Sequence, residues 1–166
     1  MGRIAAILVA ALGVALAATS AASAPPARGL FVPGKSLGGV SIGMTQAEVL
    51  RTWGKRHGVC RECPQPTWYF NYKPFEPRGA GVVFERRRVV RVFTVWRPEG
   101  WHTGRGLVLG DDAGKISDLA GPYREKECPG YTALVSRAGR VASVFYVHDE
   151  RLWAFGLARA GASPCV

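Results

Sequence analysis

Four cysteines define the most explicit candidate chemistry in this sequence. Cys60 and Cys63 enclose Arg61-Glu62, and this spacing is typical of a thiol–disulfide exchange site, where a nearby cation favours one thiolate. Redox sites of this kind open a helix, whereas Cys63 precedes Pro64-Gln65-Pro66. We therefore favour a structural disulfide that closes a turn. A thiol–disulfide oxidoreductase that uses Cys60 and Cys63 is an alternative.

An even number of cysteines in an exported chain predicts two disulfides. Three pairings of Cys60, Cys63, Cys128 and Cys165 are possible. We favour Cys60–Cys63 with Cys128–Cys165, because each bond then stays within one half of the internal repeat described below. His57 or the second cysteine pair would be needed to complete a zinc site, and an oxidising compartment argues against one. We expect no metal and no cofactor.

No side chains form a recognisable hydrolytic site. His57, His102 and His148 lie apart in expected loops, and no Ser or Cys has the Gly-x-Ser-x-Gly context of a strained nucleophile turn. Asp111-Asp112 would suit a carboxylate pair, but a helix cap explains these residues fully. The sequence therefore predicts a protein that is not an enzyme.

Aromatic residues concentrate in and beside the expected strands. In the run from Trp68 to Tyr72, strand alternation places Trp68 on one face and Tyr69 on the other. Aromatic residues with arginines around them are typical of the hot spots of protein interfaces. The expected partner-binding residues are Trp68, Tyr69, Trp96, Trp101, Tyr146 and Trp153.

A second candidate surface is basic. The chain has a net charge of +10, mostly from arginine, and guanidinium groups suit bidentate contacts with carboxylate or phosphate. Export argues against nucleic acid as a partner. The residues Arg86, Arg87, Arg88 and Arg91 therefore form an alternative site for an anionic cell-surface polymer or anionic lipid. A solvated hairpin tip is the simpler explanation of the same residues.

The N-terminus has the order of a secretory signal peptide. Arg3 precedes the apolar run Ile4–Ala18, and small residues continue to Ala24. The apolar run is short for a membrane span. We predict a signal peptide over residues 1–24, a flexible Pro/Gly-rich segment over 25–36, and a secreted or cell-envelope protein. Association with a membrane is expected only if the leader is retained as an anchor.

An internal repeat positions the candidate residues. Val40–Gly54 aligns without a gap with Leu107–Gly121, 67 residues later. Each segment predicts an extended stretch, a turn at glycine and a short helix, capped at Thr45 in the first copy and at Asp112 in the second. Helices of about nine residues are unstable alone in water, so each must lie on a sheet.

Strand patterns follow each predicted helix. They align at an offset of 52 residues. The sequence therefore predicts one α+β domain over residues 37–166, made of repeat one (37–105) and repeat two (106–166), each a short helix followed by an antiparallel sheet. The expected strands are Thr67–Tyr72, Gly81–Glu85, Val89–Trp96, Tyr131–Arg137, Val141–Val147 and Leu152–Leu157.

The repeated unit resembles a known architecture. An apolar strand runs into Gly43-Met44-Thr45, then come Glu48-Val49 and a closing Trp53-Gly54. This pattern resembles the helix-plus-antiparallel-sheet repeat of the beta-lactamase inhibitor proteins and the related single repeat of small outer-membrane assembly lipoproteins. The resemblance implies a tandem-repeat fold whose concave sheet binds a protein. We therefore predict a secreted, inhibitor-like protein-binding module whose partner is a secreted or envelope protein.

Overall fold

The computed structural model describes residues 29–71, 79–94 and 100–166, so the leader expected over residues 1–24 lies outside the described residues. Strands predominate over two short helices, and the α+β class is confirmed. In chain order the elements are β1 (Gly29–Val32), β2 (Ser36–Leu37), α1 (Gln46–Trp53), β3 (Gly58–Cys60), β4 (Thr67–Phe70), β5 (Ala80–Glu85), β6 (Arg88–Thr94), β7 (Trp101–Thr103), α2 (Gly114–Ala120), β8 (Arg124–Cys128), β9 (Tyr131–Ala138), β10 (Val141–His148) and β11 (Arg151–Arg159).

An antiparallel sheet of eight strands forms the centre of the molecule, in the spatial order β3-β4-β5-β6-β11-β10-β9-β8. The chain therefore builds two four-strand meanders, which meet where β6 pairs with β11. Each of the six expected strands is present, although Tyr72 and Trp96 lie outside the described residues. Strands β1, β2, β3, β7 and β8 were not expected from the sequence.

The prediction that residues 25–36 form a flexible segment is wrong from Gly29 onward. Strand β1 pairs antiparallel with β2 and parallel with β7 in a separate three-stranded sheet. Phe31 is fully buried, and its ring stacks on Phe155 at 4.9 Å and meets the edge of Phe145 at 5.6 Å. Burial of this ring against two others outweighs the flexibility of the neighbouring Pro and Gly residues.

Two clusters of buried side chains lie on opposite faces of the eight-stranded sheet. The larger cluster includes Phe145 and lies on the first face, where both helices and the three-stranded sheet cover it. The smaller cluster includes Val144 and Tyr146, which alternate with Phe145 along β10 and therefore lie on the second face. Both faces of the central strands are apolar for this reason.

The two halves of the chain share backbone geometry. In the first half, the N–H of Gly43 donates to the Val89 carbonyl at 2.8 Å, and the N–H of Val89 donates to Met44 at 2.8 Å. In the second half, the N–H of Gly110 donates to the Leu152 carbonyl at 2.7 Å, and the N–H of Leu152 donates to the Asp111 carbonyl at 2.8 Å. Each helix is thereby fixed to the fourth strand of its own meander.

The strand alignment at an offset of 52 residues is wrong. The β5–β6 hairpin matches β10–β11, because both hairpins have a register shift before the turn and turn residues with positive φ. These turn residues are Arg86-Arg87 (φ 49° and 62°) and Asp149-Glu150 (φ 47° and 58°), 63 residues apart. Strand propensity alone could not distinguish these hairpins from β9–β10.

The cap predicted for α1 is confirmed, and the cap of α2 is shifted. The N–H of Thr45 donates to the Glu48 carboxylate at 2.7 Å, and the N–H of Glu48 donates to the Thr45 hydroxyl at 3.3 Å. The N-cap of α2 is Ala113 rather than Asp112. Asp112 instead accepts a hydrogen bond from the N–H of Gly114 at 2.9 Å. Within the described ranges, neither helix has the length and apolar character of a membrane span.

The capping box of α1 should make the stability of the protein depend on acid. Hydrogen bonds from Thr45 lower the pKa of Glu48 below its ordinary value of 4.5. The ionised carboxylate therefore stabilises the folded state at pH values above 4.5. This stabilisation is lost as the pH falls through the lowered pKa of the folded state. We expect Glu48→Gln to be less stable than the parent at neutral pH, with a difference that shrinks in acid. Urea unfolding at several pH values measures this; a difference independent of pH would contradict it.

Candidate functional site

Both predicted disulfides, Cys60–Cys63 and Cys128–Cys165, are present. The first closes the turn that follows β3. The second joins the end of β8 to the C-terminal tail, which we define as residues 160–166. Cys60 and Cys128 are therefore the last residues of strands, Cys63 lies in the turn between β3 and β4, and Cys165 lies in the tail.

The C-terminal tail crosses the second face of the sheet. The hydroxyl of Tyr146 donates to the Pro164 carbonyl at 2.9 Å, and the Arg91 guanidinium donates to the Cys165 carbonyl at 2.7 Å. The N–H of Val166 donates to the Tyr131 hydroxyl at 2.7 Å. Burial raises the pKa of Tyr146 far above its ordinary value, so this hydroxyl remains a donor to the tail.

For two of the expected partner-binding residues the prediction is wrong, because their side chains are part of the core. Trp101 is 1% exposed and Tyr146 is 0% exposed. The Trp101 ring lies so close to Gly29 and Gly38 that a Cβ at either glycine would approach it within 3 Å. Tyr146 lies beneath the tail. Trp96, a third expected residue, lies outside the described residues.

The remaining expected aromatic residues are half-buried and do not share a face. Trp68 lies on the first face, where its ring stacks on His57 at 4.2 Å and contacts the edge of Phe84 at 4.6 Å. Tyr69 and Trp153 pack on the second face. The alternation predicted for Trp68 and Tyr69 is therefore confirmed, but these side chains do not form one surface.

The four arginines of the predicted polyanion site do not all lie in one exposed cluster. Arg86 and Arg87 are exposed in the β5–β6 turn. Arg88 is exposed as well and donates to the Gly43 carbonyl at 3.0 Å. Arg91 is half-buried and bonds to the tail, so the expectation that it belongs to the same exposed cluster is wrong.

Three further arginines join this end of the sheet through the strand register. Ala142 on β10 pairs with both Arg137 on β9 and Ala158 on β11, and Ala158 pairs with Arg91 on β6. The last residues of β9 and β11 and the first of β6 therefore lie at one end of the sheet. We call the six exposed arginines at this end the arginine rim: Arg86, Arg87, Arg88, Arg137, Arg140 and Arg159.

The arginine rim is wide and carries a net positive charge. Neighbouring strands lie about 4.8 Å apart, so the three spacings from β9 to β6 place its outer members about 14 Å apart or more. Two carboxylates lie close by: Glu85 forms an ion pair with Arg159 at 2.5 Å, and the charge of Arg88 contributes to the lowered pKa of Glu48. The other rim arginines have no acidic partner among the described residues.

Acidic residues collect at the opposite end of the second meander. The β10–β11 turn contributes Asp149 and Glu150 there, beside the start of α2 and the end of β8. Lys115 pairs with Asp111 at 2.7 Å. In the described part of the chain, no three His, Cys, Asp or Glu side chains are arranged to hold a metal ion. The acidic residues of this end are Asp111, Asp112, Glu127, Asp149 and Glu150.

No family model and no curated protein matches the chain, but at least two solved structures share its fold. A DUF4309 family protein, YjgB, from Bacillus subtilis matches with a TM-score of 0.57 and 18% identity over 76% of this chain and 88% of that one. A cysteine-rich secretory protein from Staphylococcus aureus matches with a TM-score of 0.54 and 13% identity over 83% of this chain and 50% of that one. An extracellular SCP-domain protein from Bacillus anthracis gives a TM-score of 0.49 with 11% identity, over 72% and 44% of the two chains. The first two likenesses show the fold alone.

Proposed function

We propose that this chain is an exported, non-enzymatic binding protein that holds an anionic polymer of the cell envelope against the arginine rim. The observation that supports this most is the convergence of arginines from both meanders, including Arg86 and Arg140, at one end of one sheet. Guanidinium groups bind phosphate and carboxylate bidentately. A row of such groups matches a polymer with regularly repeated anions.

Two features support export. Disulfides persist in oxidising compartments and are rare in the cytosol, and this chain has two. The N-terminal sequence predicts a signal peptide over residues 1–24. Location in the envelope or outside the cell would bring the rim to anionic surface polymers and keep it from nucleic acid.

An inhibitor-like module that binds a protein through its aromatic sheet face is the weaker proposal. Trp101 and Tyr146 are not available to a partner, and Trp68 lies on the opposite face from Tyr69. We also propose that the two halves are repeats of one unit, the architecture that the beta-lactamase inhibitor resemblance implies. The matching hydrogen bonds at Gly43 and Gly110 support this.

Thiol–disulfide exchange has less support from the position of its cysteines. Helix α1 ends at Trp53, before the Cys60–Cys63 pair, and the pair lies between β3 and β4, so neither cysteine stands at the start of a helix that would favour a thiolate. Arg61 is the cation between the two cysteines. A Cys60→Ser variant with an unchanged disulfide-exchange rate would exclude this activity.

Binding of sodium polyphosphate tests the proposed function. We expect the Arg86→Gln/Arg140→Gln variant to bind about tenfold more weakly than the parent at low salt, and its affinity to depend less steeply on salt, because each lost phosphate contact removes a released counterion. The control Arg56→Gln/Arg105→Gln removes the same charge from exposed positions that are not part of the rim and should change binding less than about twofold. Isothermal titration calorimetry at several salt concentrations measures both. Equal losses in the two variants would mean that net charge alone attracts the polymer, and would overturn the proposal.

A further inference from the structure

A groove of about 530 Å³ lies on the second face of the sheet, between β8 and the C-terminal tail. Ala142 and Ala158 form its floor but are only 5% and 1% exposed, so the apolar surface open to a ligand belongs to the half-buried residues Val135, Ala162 and Pro164. Ala142 pairs with Ala158 across β10 and β11, so two alanines lie side by side where neighbouring positions of this face carry large rings such as Phe93 and Tyr146. The groove exists because the side chains at these two positions are short.

The wall of the groove on the β8 side is cationic. Arg124 pairs with Val135 and Lys126 with Ala133, and strand alternation therefore places both cations on the second face with the floor. Arg137 on β9 completes the group. Glu125 also lines the groove, so three cations and one carboxylate leave a net positive charge.

The opposite wall is fixed in place. Gly161, Ala162 and Pro164 of the tail form it. The disulfide between Cys165 and Cys128 and the hydrogen bond from Tyr146 to Pro164 hold the C-terminal end of this stretch. Near its other end, the N–H groups of Ala160 and Ala162 donate to the carbonyls of Arg140 and Arg159, each at 2.9 Å. The groove is therefore preformed, and a ligand would not have to order its walls on binding.

We infer that this groove binds a small amphipathic monoanion, with its apolar part on Val135, Ala162 and Pro164 and its carboxylate beside the Arg124, Lys126 and Arg137 side chains. The volume lies within the few hundred to about 1,000 Å³ of small-molecule sites. An apolar surface with cations along one side is complementary to a ligand that is apolar at one end and negative at the other. A polyanion has no apolar part to cover this apolar surface, so this site differs from the arginine rim, although Arg137 borders both.

Titration with octanoate tests the inference, with octylamine as the probe of opposite charge. We expect saturable binding of octanoate to the parent and at least a tenfold loss in the Arg124→Gln/Lys126→Gln variant. Octylamine should not bind. Ala142→Leu, which fills the floor, should also lose octanoate while its circular dichroism stays that of the parent. Equal binding of the two probes, no saturation by octanoate, or an unchanged affinity in the charge variant would overturn the inference.

Two further variants separate this site from the rim. Arg86→Gln/Arg140→Gln changes rim residues that do not line the groove, and Arg56→Gln/Arg105→Gln changes the same net charge elsewhere. Both should bind octanoate as the parent does. Loss of octanoate in either variant would show that overall charge attracts the carboxylate and would overturn the groove as the site. Polyphosphate binding by the Arg124→Gln/Lys126→Gln variant measures the rim independently.

Discussion

Loss of the Cys128–Cys165 disulfide should cost the folded protein about 4 kcal/mol, because the bond closes a long loop in the unfolded chain. The two cysteines are 37 residues apart. The Cys128→Ser/Cys165→Ser variant should also release the tail, which leaves Tyr146 with solvent above it. The pKa of Tyr146 should then fall toward its ordinary value of 10.0, a change that spectroscopic titration of tyrosinate detects.

The short disulfide supplies the control for this experiment. Cys60 and Cys63 are only three residues apart, so the Cys60→Ser/Cys63→Ser variant should lose about 2 kcal/mol and leave Tyr146 buried. Denaturant unfolding of both double variants gives the two free energies. An equal loss in both, or a tyrosine titration unaltered by the loss of the long disulfide, would contradict the role given to the tail.

Replacement of Trp53 by Ala should destabilise the protein by about 3–5 kcal/mol, a loss typical of large aromatic side chains in a core. Trp53 is fully buried at the end of α1, and its ring meets the edge of Phe70 at 5.2 Å. Its indole N–H donates to the Gly38 carbonyl at 2.8 Å. The side chain thus links α1, the main sheet and the segment after β2, and its loss removes contacts in all three.

Trp53→Phe separates packing from hydrogen bonding at this position. Most of the ring is kept, but the Gly38 carbonyl loses its donor, which should cost about 1–3 kcal/mol. Thermal or urea unfolding of the two variants gives the comparison. If Trp53→Phe were as unstable as Trp53→Ala, the hydrogen bond rather than the ring would be the principal contribution.

Features fixed by neighbouring residues were predictable from the sequence. The capping box needs only Thr45 and Glu48, three residues apart, and the disulfide pairing follows once each half is treated as a unit. The apolar strands β5, β6, β9, β10 and β11 were also recognisable from their composition. Strand β8 was not, because Arg124 to Glu127 alternates in the sign of its charge rather than in polarity, and no apolar period marks it.

Features that depend on the strand register could not be predicted. The residues Arg137, Arg140 and Arg159 of the rim are distant in sequence from Arg86, and they meet it only because β11 pairs with β6. A sequence signal was present in the hairpin turn at Gly139-Arg140, but it does not say which strands lie beside it. Similarly, Trp101 and Trp153 look alike in the sequence, and only the position of the three-stranded sheet shows that Trp101 is in the core.

The two outermost strands of the eight-stranded sheet, β3 and β8, each leave one row of backbone groups without a neighbouring strand in the described part of the chain. Such rows are templates for edge-to-edge aggregation. β3 is only three residues long and runs into a turn closed by a disulfide. β8 carries Arg124, Glu125, Lys126 and Glu127 in succession, all exposed, and a strand added there would have to desolvate charges on both of its faces. An open sheet of this size therefore protects itself from unwanted extension at both edges.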